Sequence, residues 1–143
     1  MGNFCLVLHT HLPYVLHHGT WPHGTDWLYE AAAGTYIPLL KTFDELLNEG
    51  FHPKATIGIT PVLAEQLADP LFQKGFLHHL NNRILTARQD ERYFRKINDS
   101  KRQETAQFWI EHFSSIKYYF NICYDRNLLL QFRRLQEIGR AHV

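Results

Sequence analysis

The order of apolar and polar positions predicts a strand, a helix and a second strand, followed by a long helical region. The apolar run 4–8 is continuous, which is typical of a strand buried on both faces of a parallel sheet. A second short strand is predicted at 55–59, and between the two strands apolar residues recur at helical spacing from Tyr36 to Leu47. This order predicts a βαβ unit, which favours a parallel sheet with a right-handed crossover.

Residues that favour helix ends place further boundaries. Thr35 suits the N-terminal cap of the first helix, because Pro38 is tolerated only in a first turn. The pairs Thr60–Pro61 and Asp69–Pro70 each place a capping side chain before a proline. They predict a short helix to position 68 and a longer helix that ends near Lys96.

Two other segments carry weaker helical signals. Residues 26–33 are compatible with a short helix inside a stretch punctuated by glycine and proline, and residues 101–136 predict one or two amphipathic helices with a break near 121–125. A line of aromatic residues runs along the second segment, and we expect it to be packing surface rather than a cofactor site. It consists of Phe108, Trp109, Phe113, Tyr119, Phe120 and Tyr124.

Composition limits the class of protein. The 143 residues are 45% hydrophobic, which excludes wholesale disorder, and the net charge of +1 argues against a general binder of nucleic acid or membrane surfaces. No apolar stretch approaches the roughly 20 residues that span a bilayer. Cys5 and Cys123 are too few for a disulfide framework and are expected to be reduced and partly buried. We therefore expect a cytoplasmic protein.

The candidate chemistry is concentrated near the start of the chain. His9 and His11 directly follow the first predicted strand, and alternation along an extended backbone directs both imidazoles to the same side. Ligands bind at the carboxyl ends of strands in parallel α/β folds. Trp21 and Trp27 lie in the loop-like stretch that follows.

Two chemistries are open for the histidine pair. It could hold a divalent metal, as in metal-dependent hydrolases, with further ligands from later strands. It could instead donate hydrogen bonds to a polyhydroxylated ligand. The second interpretation is favoured because the flat faces of Trp21 and Trp27 complement the C–H faces of sugar rings. The loop is also poor in carboxylates, with Asp26 the only acidic residue before Glu30.

Several stretches of sequence closely resemble the N-terminal region of glycoside hydrolase family 57, best in its α-1,4-glucan branching-enzyme subgroup. These stretches are 9–15 (HTHLPYV), 21–24 (WPHG) and 26–31 (DWLYEA), and the likeness continues in 35–40 (TYIPLL) and 59–67 (ITPVLAEQL). The resemblance covers about residues 3–137 and is strongest up to Pro70.

The resemblance implies the opening part of an incomplete (β/α)7 barrel, followed by long helices, in a chain several times this length. It implies that His9, His11, Trp21 and Trp27 bind an α-1,4-glucan such as glycogen, amylose or a maltooligosaccharide. It further implies a retaining double displacement by a Glu nucleophile and an Asp acid/base, in which a branching enzyme transfers glycosyl units to a 6-hydroxyl. An α-amylase or 4-α-glucanotransferase shares these early motifs. No cofactor and no metal are expected.

Neither catalytic carboxylate of the family matches a residue of this chain, because both belong to motifs on later strands. We therefore expect residues 1–137 to be a truncated part of the catalytic barrel that is inactive by itself. Residues 138–143 (IGRAHV) back-translate to a sequence that resembles a common sequencing adapter, and we expect them to be foreign to the native protein.

Overall fold

The fold is α/β and is built on a small parallel sheet. The computed structural model describes residues 5–137 and 141–142. Strand β1 (Val7–Thr10) pairs in parallel with β2 (Ala55–Ile59), as predicted, and β2 pairs in parallel on its other side with the short β3 (Ala141–His142). The other positions of the terminal segment predicted to be foreign, 138–140 and 143, lie outside the described residues.

Helices account for most of the remaining described chain. The α-helices are α1 (Thr25–Ala31), α2 (Ile37–Asn48), α3 (Pro61–Ala68), α4 (Pro70–Lys96), α5 (Ser100–Tyr118) and α6 (Leu128–Glu137). Two π-helical turns, Ala32–Tyr36 and Tyr119–Cys123, follow α1 and α5 respectively. The non-helical residues 124–127, between the second turn and α6, confirm the predicted break in the last helical region.

Side-chain caps confirm the predicted starts of α3 and α4. The Thr60 hydroxyl accepts a hydrogen bond from the Leu63 amide at 3.4 Å, and the Asp69 carboxylate accepts one from the Leu71 amide at 2.7 Å. Each cap is followed by a proline at the first helical position, where a missing N–H leaves no bond unmade. Local chemistry therefore determines both boundaries.

The predicted cap at Thr35 is wrong, because the chain is continuously helical through this residue. The π-helical turn joins α1 directly to α2, and the Ile37 amide donates to the Ala32 carbonyl five residues earlier. Pro38 lies in the first turn of α2, just after this wider turn. The π-helical turn accommodates Pro38 because it interrupts the regular pattern of helical hydrogen bonds. The chain therefore enters α2 without a capping side chain.

The prediction that the first strand is buried on both faces is also wrong. The strand begins at Val7, so Cys5 and Leu6 precede it, and it includes His9 and Thr10; position 4 lies outside the described residues. Leu6 is 40% exposed and Val7 is 56% exposed. The two cysteines, expected to be partly buried, are both exposed.

Aromatic rings form the centre of the core. Phe76 packs edge-to-face on Phe120 with centroids 4.8 Å apart, and Tyr29 lies 6.0 Å from Phe76. A Cβ at Gly75 would lie 2.0 Å from the Tyr29 hydroxyl, so only glycine lets α1 approach α4 this closely. The close approach brings the loop that precedes α1 against the helical layer.

The predicted aromatic packing line is correct only in its second half. Phe120 and Tyr124 are buried, whereas Phe108 is 57% exposed and Trp109 is 43% exposed. Helical spacing identifies a shared face, but the end of α5 that carries Phe108 and Trp109 extends past the core.

Gln66 fixes the segment that follows β1. Its side chain is fully buried on α3, where the amide oxygen accepts from the Val15 N–H at 2.7 Å and the amide nitrogen donates to the Pro13 carbonyl at 3.1 Å. A single side chain thus satisfies a donor and an acceptor of a segment that has no strand partner of its own. Val15 and Leu16 beside it are buried in the core.

Tyr124 and Arg134 both bind Asp44 and tie the end of the chain to α2. The Tyr124 hydroxyl donates to Asp44 Oδ2 at 3.0 Å, and Arg134 of α6 pairs with Asp44 Oδ1. Burial, followed by the charge of Asp44, raises the pKa of Tyr124 well above its ordinary value of 10.0. The phenol is therefore a hydrogen-bond donor throughout the neutral range.

We expect Gln66→Leu to lower the free energy of unfolding by about 1–3 kcal/mol, since it leaves the buried Val15 N–H without an acceptor. Urea unfolding followed by circular dichroism measures the change. The matched control is Glu65→Leu at the exposed neighbouring position, which should stay within about 0.5 kcal/mol of the wild type. Equal stability of the two variants would contradict the role given to Gln66.

We expect the stabilising effect of Tyr124 to disappear in alkali. Unfolded tyrosine ionises near pH 10 while folded Tyr124 keeps its proton, so the folded state binds more protons and loses stability as the pH rises above about 10. The wild type should exceed Tyr124→Phe by about 0.5–1.5 kcal/mol at neutral pH. This difference should shrink in unfolding curves above pH 10, whereas Tyr118→Phe, at an exposed site, should track the wild type. A constant difference across this range would refute the assignment.

Candidate functional site

The carboxyl ends of β1 and β2 bring His9 against a glycine. His9 is the register partner of Gly58, and a Cβ at position 58 would lie 3.5 Å from Nδ1 of the His9 ring. The Thr10 hydroxyl donates to the Gly58 carbonyl at 2.7 Å and joins the same two strands by a side-chain bond. Gly58 thus provides a flat backbone surface beneath the imidazole.

The predicted histidine pair is exposed where the sheet ends. His9 is the third residue of β1, and His11 is the first residue after the strand. Both are exposed, and within residues 5–137 no hydrogen bond or ring contact joins the two imidazoles. Their ring nitrogens are free to bind a ligand, and their convergence on one ligand remains a prediction.

A tight loop carries Trp21 to the start of α1. The amides of Thr25 and Asp26 donate to the carbonyls of Gly19 and Thr20, at 3.0 and 3.3 Å. A Cβ at Gly24 would lie 2.1 Å from the Gly19 carbonyl oxygen, so the loop closes only around glycine. Backbone hydrogen bonds therefore hold the loop closed, and the side chains at its tip remain available for contacts with other molecules.

The two tryptophans differ in exposure. Trp21 lies in this loop and is joined to Pro22 by a cis peptide bond. It is 75% exposed. Trp27 on α1 is 37% exposed, and His23 packs edge-on against it at 4.7 Å between ring centroids. Large exposed apolar surfaces of this kind are typical of binding sites.

Tyr14, His17 and His18 form a second exposed aromatic group, in the segment between β1 and α1, that the sequence did not identify. The Tyr14 ring stacks on His17 at 6.5 Å and meets His18 edge-on at 6.2 Å. All three residues are exposed. The signal was present as clustered histidines after the first strand, but residue type alone did not show which rings would meet.

Two pairs of residues connect α1 to α4. Asp26 Oδ1 lies 3.6 Å from His79 Nδ1, and one turn further along Glu30 lies 3.6 Å from an Arg83 nitrogen. Both pairs use a four-residue spacing on each helix, so one helical turn separates them. This shared spacing was readable in the sequence, although only the tertiary structure shows that the helices meet.

Burial makes His79 a neutral member of this network. Burial, with the nearby charge of Arg83, lowers the pKa of His79 below its ordinary value of 6.5. Nε2 lies 3.5 Å from the Arg83 Nε donor, which fits a neutral ring with its proton on Nδ1 toward Asp26. The histidine therefore links a carboxylate to a guanidinium without adding charge, and holds the helix of Trp27 in place.

Two features that the described residues lack bear on alternative roles. Within residues 5–137, no group of three or more His, Cys, Asp or Glu side chains is arranged to hold a metal ion. None of the described helices combines the length and apolar character needed to cross a bilayer. The described site is thus made of imidazoles, aromatic rings and backbone amides.

Comparisons with known proteins agree with one another. The model of glycosyl hydrolase family 57 matches residues 5–143. The 1,4-alpha-glucan branching enzyme of Thermococcus kodakarensis is 34% identical over an alignment of 143 positions, which covers 99% of this chain and 20% of that protein. Its crystal structure, in complex with glucose and additives, aligns with a TM-score of 0.85 at 33% identity over 96% of this chain and 24% of the other.

Two further solved structures share the fold. The GH57-type branching enzyme of Pyrococcus horikoshii aligns with a TM-score of 0.90 at 39% identity, over 96% of this chain and 25% of the other. The alpha-amylase AmyC of Thermotoga maritima aligns with a TM-score of 0.82 at 36% identity, over 96% and 26%.

The chain thus spans only about a fifth to a quarter of the relatives it matches. The resemblance seen in the sequence motifs is confirmed by the family match and by the structural alignments. On this basis the chain belongs to glycosyl hydrolase family 57.

Proposed function

We propose that this chain forms one wall of the donor-sugar site of a 1,4-α-glucan branching enzyme, and that the activity resides in a longer parent protein. The observation that carries the proposal is the exposed set His9, His11, Trp21 and Trp27, which lies on or after the first strand of a family 57 fold. In parallel α/β folds ligands bind at the carboxyl ends of the strands, where His9 and His11 lie.

Each side chain has a role suited to a neutral polyhydroxylated ligand. The exposed faces of Trp21 and Trp27 offer apolar surfaces to the C–H faces of glucosyl rings. His9 and His11 offer ring nitrogens to sugar hydroxyls. These residues bind and orient the glucan, and none of them is assigned a bond-making step.

The reaction itself requires groups that the proposal places elsewhere in the parent. A retaining glycosidase needs two carboxylates about 5 Å apart, one as nucleophile and one as acid and base. The carboxylates near the site have structural partners instead, because Asp26 faces His79 and Glu30 faces Arg83. We therefore propose that residues 1–137 belong to an incomplete (β/α)7 barrel completed by the rest of the parent.

The proposed setting follows from the same assignment. The partner is an α-1,4-glucan such as glycogen, amylose or a maltooligosaccharide, with no role for nucleic acid, membrane or cofactor. Branched glucan made in the cytoplasm, as in glycogen synthesis, fits the branching-enzyme relatives.

Hydrolysis of α-glucans by an α-amylase is the second candidate, and disproportionation by a 4-α-glucanotransferase is related to it. The structural likeness to an alpha-amylase specifically favours the hydrolytic alternative. The metal-dependent hydrolase considered for His9 and His11 gains no support from the comparisons, since the family and the relatives reported above are glycosidases and branching enzymes. Linkage analysis of the parent's products separates branching from both alternatives, because only branching creates new α-1,6 bonds.

We expect the 143-residue chain to bind maltohexaose at the site of Trp21, and the Trp21→Ala variant to bind it there at least about tenfold more weakly, a loss of about 1.4 kcal/mol from the missing stacking surface. Isothermal titration calorimetry measures both constants. The matched control is Phe51→Ala, which removes another exposed aromatic ring, 61% exposed, next to the other end of the β2 strand. Equal losses in the two variants would argue against a glucan site at Trp21.

We expect no glycosyl transfer by the 143-residue chain, because it supplies binding groups without the family's two carboxylates. Amylose incubated with the purified chain should keep its iodine absorbance and gain no bonds sensitive to a debranching enzyme. A known branching enzyme serves as the positive control. New α-1,6 linkages formed by this chain would overturn the division of roles.

A further inference from the structure

A second cavity lies on the helical side of the molecule, between α1 with its π-helical turn, α4 and α5. Its volume is about 520 Å³, within the range of about 300–1,000 Å³ that is usual for small-molecule sites. Glu30 and Gly34 line one wall, and none of the histidines and tryptophans assigned to the proposed glucan site lines it. The cavity is therefore a separate feature that the proposed function does not use.

One wall of this cavity is an aromatic platform. Trp109 stacks on Phe113 with centroids 5.4 Å apart and planes inclined by 25°, while His112 meets the indole edge-on at 5.5 Å. These contacts hold the indole, yet 43% of Trp109 remains exposed. A fixed and partly exposed indole is suited to stacking against a ligand.

The cavity is also lined by uncommitted hydrogen-bonding groups. Thr86 and Asp90 lie one turn apart on α4, and His112 lies beside the Trp109 indole on α5. Within residues 5–137 no side-chain hydrogen bond or ion pair engages the Thr86 hydroxyl, the Asp90 carboxylate or the His112 ring nitrogens. Arg83 and Glu30, at the same cavity, are already paired with each other.

We propose that this cavity is a second carbohydrate site, which binds a segment of α-1,4-linked glucan through stacking on Trp109 and hydrogen bonds to Thr86, Asp90 and His112. A glucosyl ring combines an apolar C–H face with a rim of hydroxyls. The C–H face matches the Trp109 platform, and the hydroxyls match the polar side chains that line the same cavity. The choice of α-1,4 linkage rests on the proposed function; the neutral oligosaccharide class rests on the cavity itself.

The same polar groups disfavour an apolar protein surface as the occupant. Such a partner would bury a carboxylate, a hydroxyl and an imidazole without returning hydrogen bonds, which costs free energy for each group. Sugar hydroxyls can act as donors to Asp90 and as donors or acceptors to Thr86 and His112. A hydroxyl-rich ligand therefore satisfies the cavity where a second hydrophobic surface does not.

The three tryptophans of the chain allow each site to be followed separately. The ¹⁵N-labelled 143-residue chain should give one indole N–H signal each for Trp21, Trp27 and Trp109, assigned through single Trp→Phe variants. During titration with maltohexaose, we expect the Trp109 signal to shift and saturate. Cellohexaose, a β-linked chain of the same length, should leave it unchanged.

Filling the cavity provides the decisive variant. A Cβ at Gly34 meets no atom within 4 Å, so Gly34→Leu should fold and project a side chain into the cavity. We expect it to weaken the Trp109 response at least tenfold while leaving the responses of Trp21 and Trp27 intact. The matched control is Tyr118→Ala. It removes an exposed ring from α5, the helix of Trp109, at a position that does not line the cavity. It should not change the titration.

Each outcome decides one of the two sites. A silent Trp109 signal when Trp21 and Trp27 respond overturns the second site alone, whereas a response at Trp109 alone supports it and counts against the proposed donor site. An unchanged affinity in Gly34→Leu, or a Trp109 signal that follows protein concentration rather than sugar, also overturns it. Calorimetry on Trp109→Ala is an independent measurement, because this variant should lose one of two binding events.

Discussion

The path of the chain from His11 to Trp21 depends on how the segment after β1 is held. There the backbone leaves the sheet and loses its strand partner, and the buried amide of Gln66 replaces that partner by bonding to both Pro13 and Val15. The apolar side chains of Val15 and Leu16 can then enter the core. Because this anchor is internal, the side chains of His9, His11 and Trp21 are not needed to hold the segment and remain exposed.

A second constraint is the close packing of α1 on α4, which lies between the two candidate binding faces of the molecule. Gly75 allows the Tyr29 ring to reach α4, and the neutral His79 connects Asp26 to Arg83 across the same contact. On one side of this contact lies the loop with Trp21, and on the other lies the cavity beside Trp109. A substitution at the contact therefore affects the support of both faces.

Much of the fold could be predicted from the sequence, because its signals are local. The caps at Thr60 and Asp69 and the apolar spacing of α2 act within a few residues, and the predicted helices begin or continue accordingly. What could not be predicted depends on tertiary contacts: the exposure of Val7, the meeting of Asp26 with His79, and the exposure of Trp109. For the site, residue types and family motifs identified His9 and Trp21, but no sequence signal showed that Gln66 anchors the segment between them.

The π-helical turn before α2 keeps two helices in phase. Buried residues recur at every fourth position through this region, at Leu28, Ala32, Tyr36 and Leu40. In a regular α-helix each such step advances the side chain by about 40°, so three steps would carry it about 120° around the axis and off the core. The wider turn absorbs that drift. Deleting one residue there would rotate the α2 side chains by about 100° relative to α1, so insertions and deletions in this turn should be far less tolerated than substitutions at Gly34 or Thr35, which are exposed.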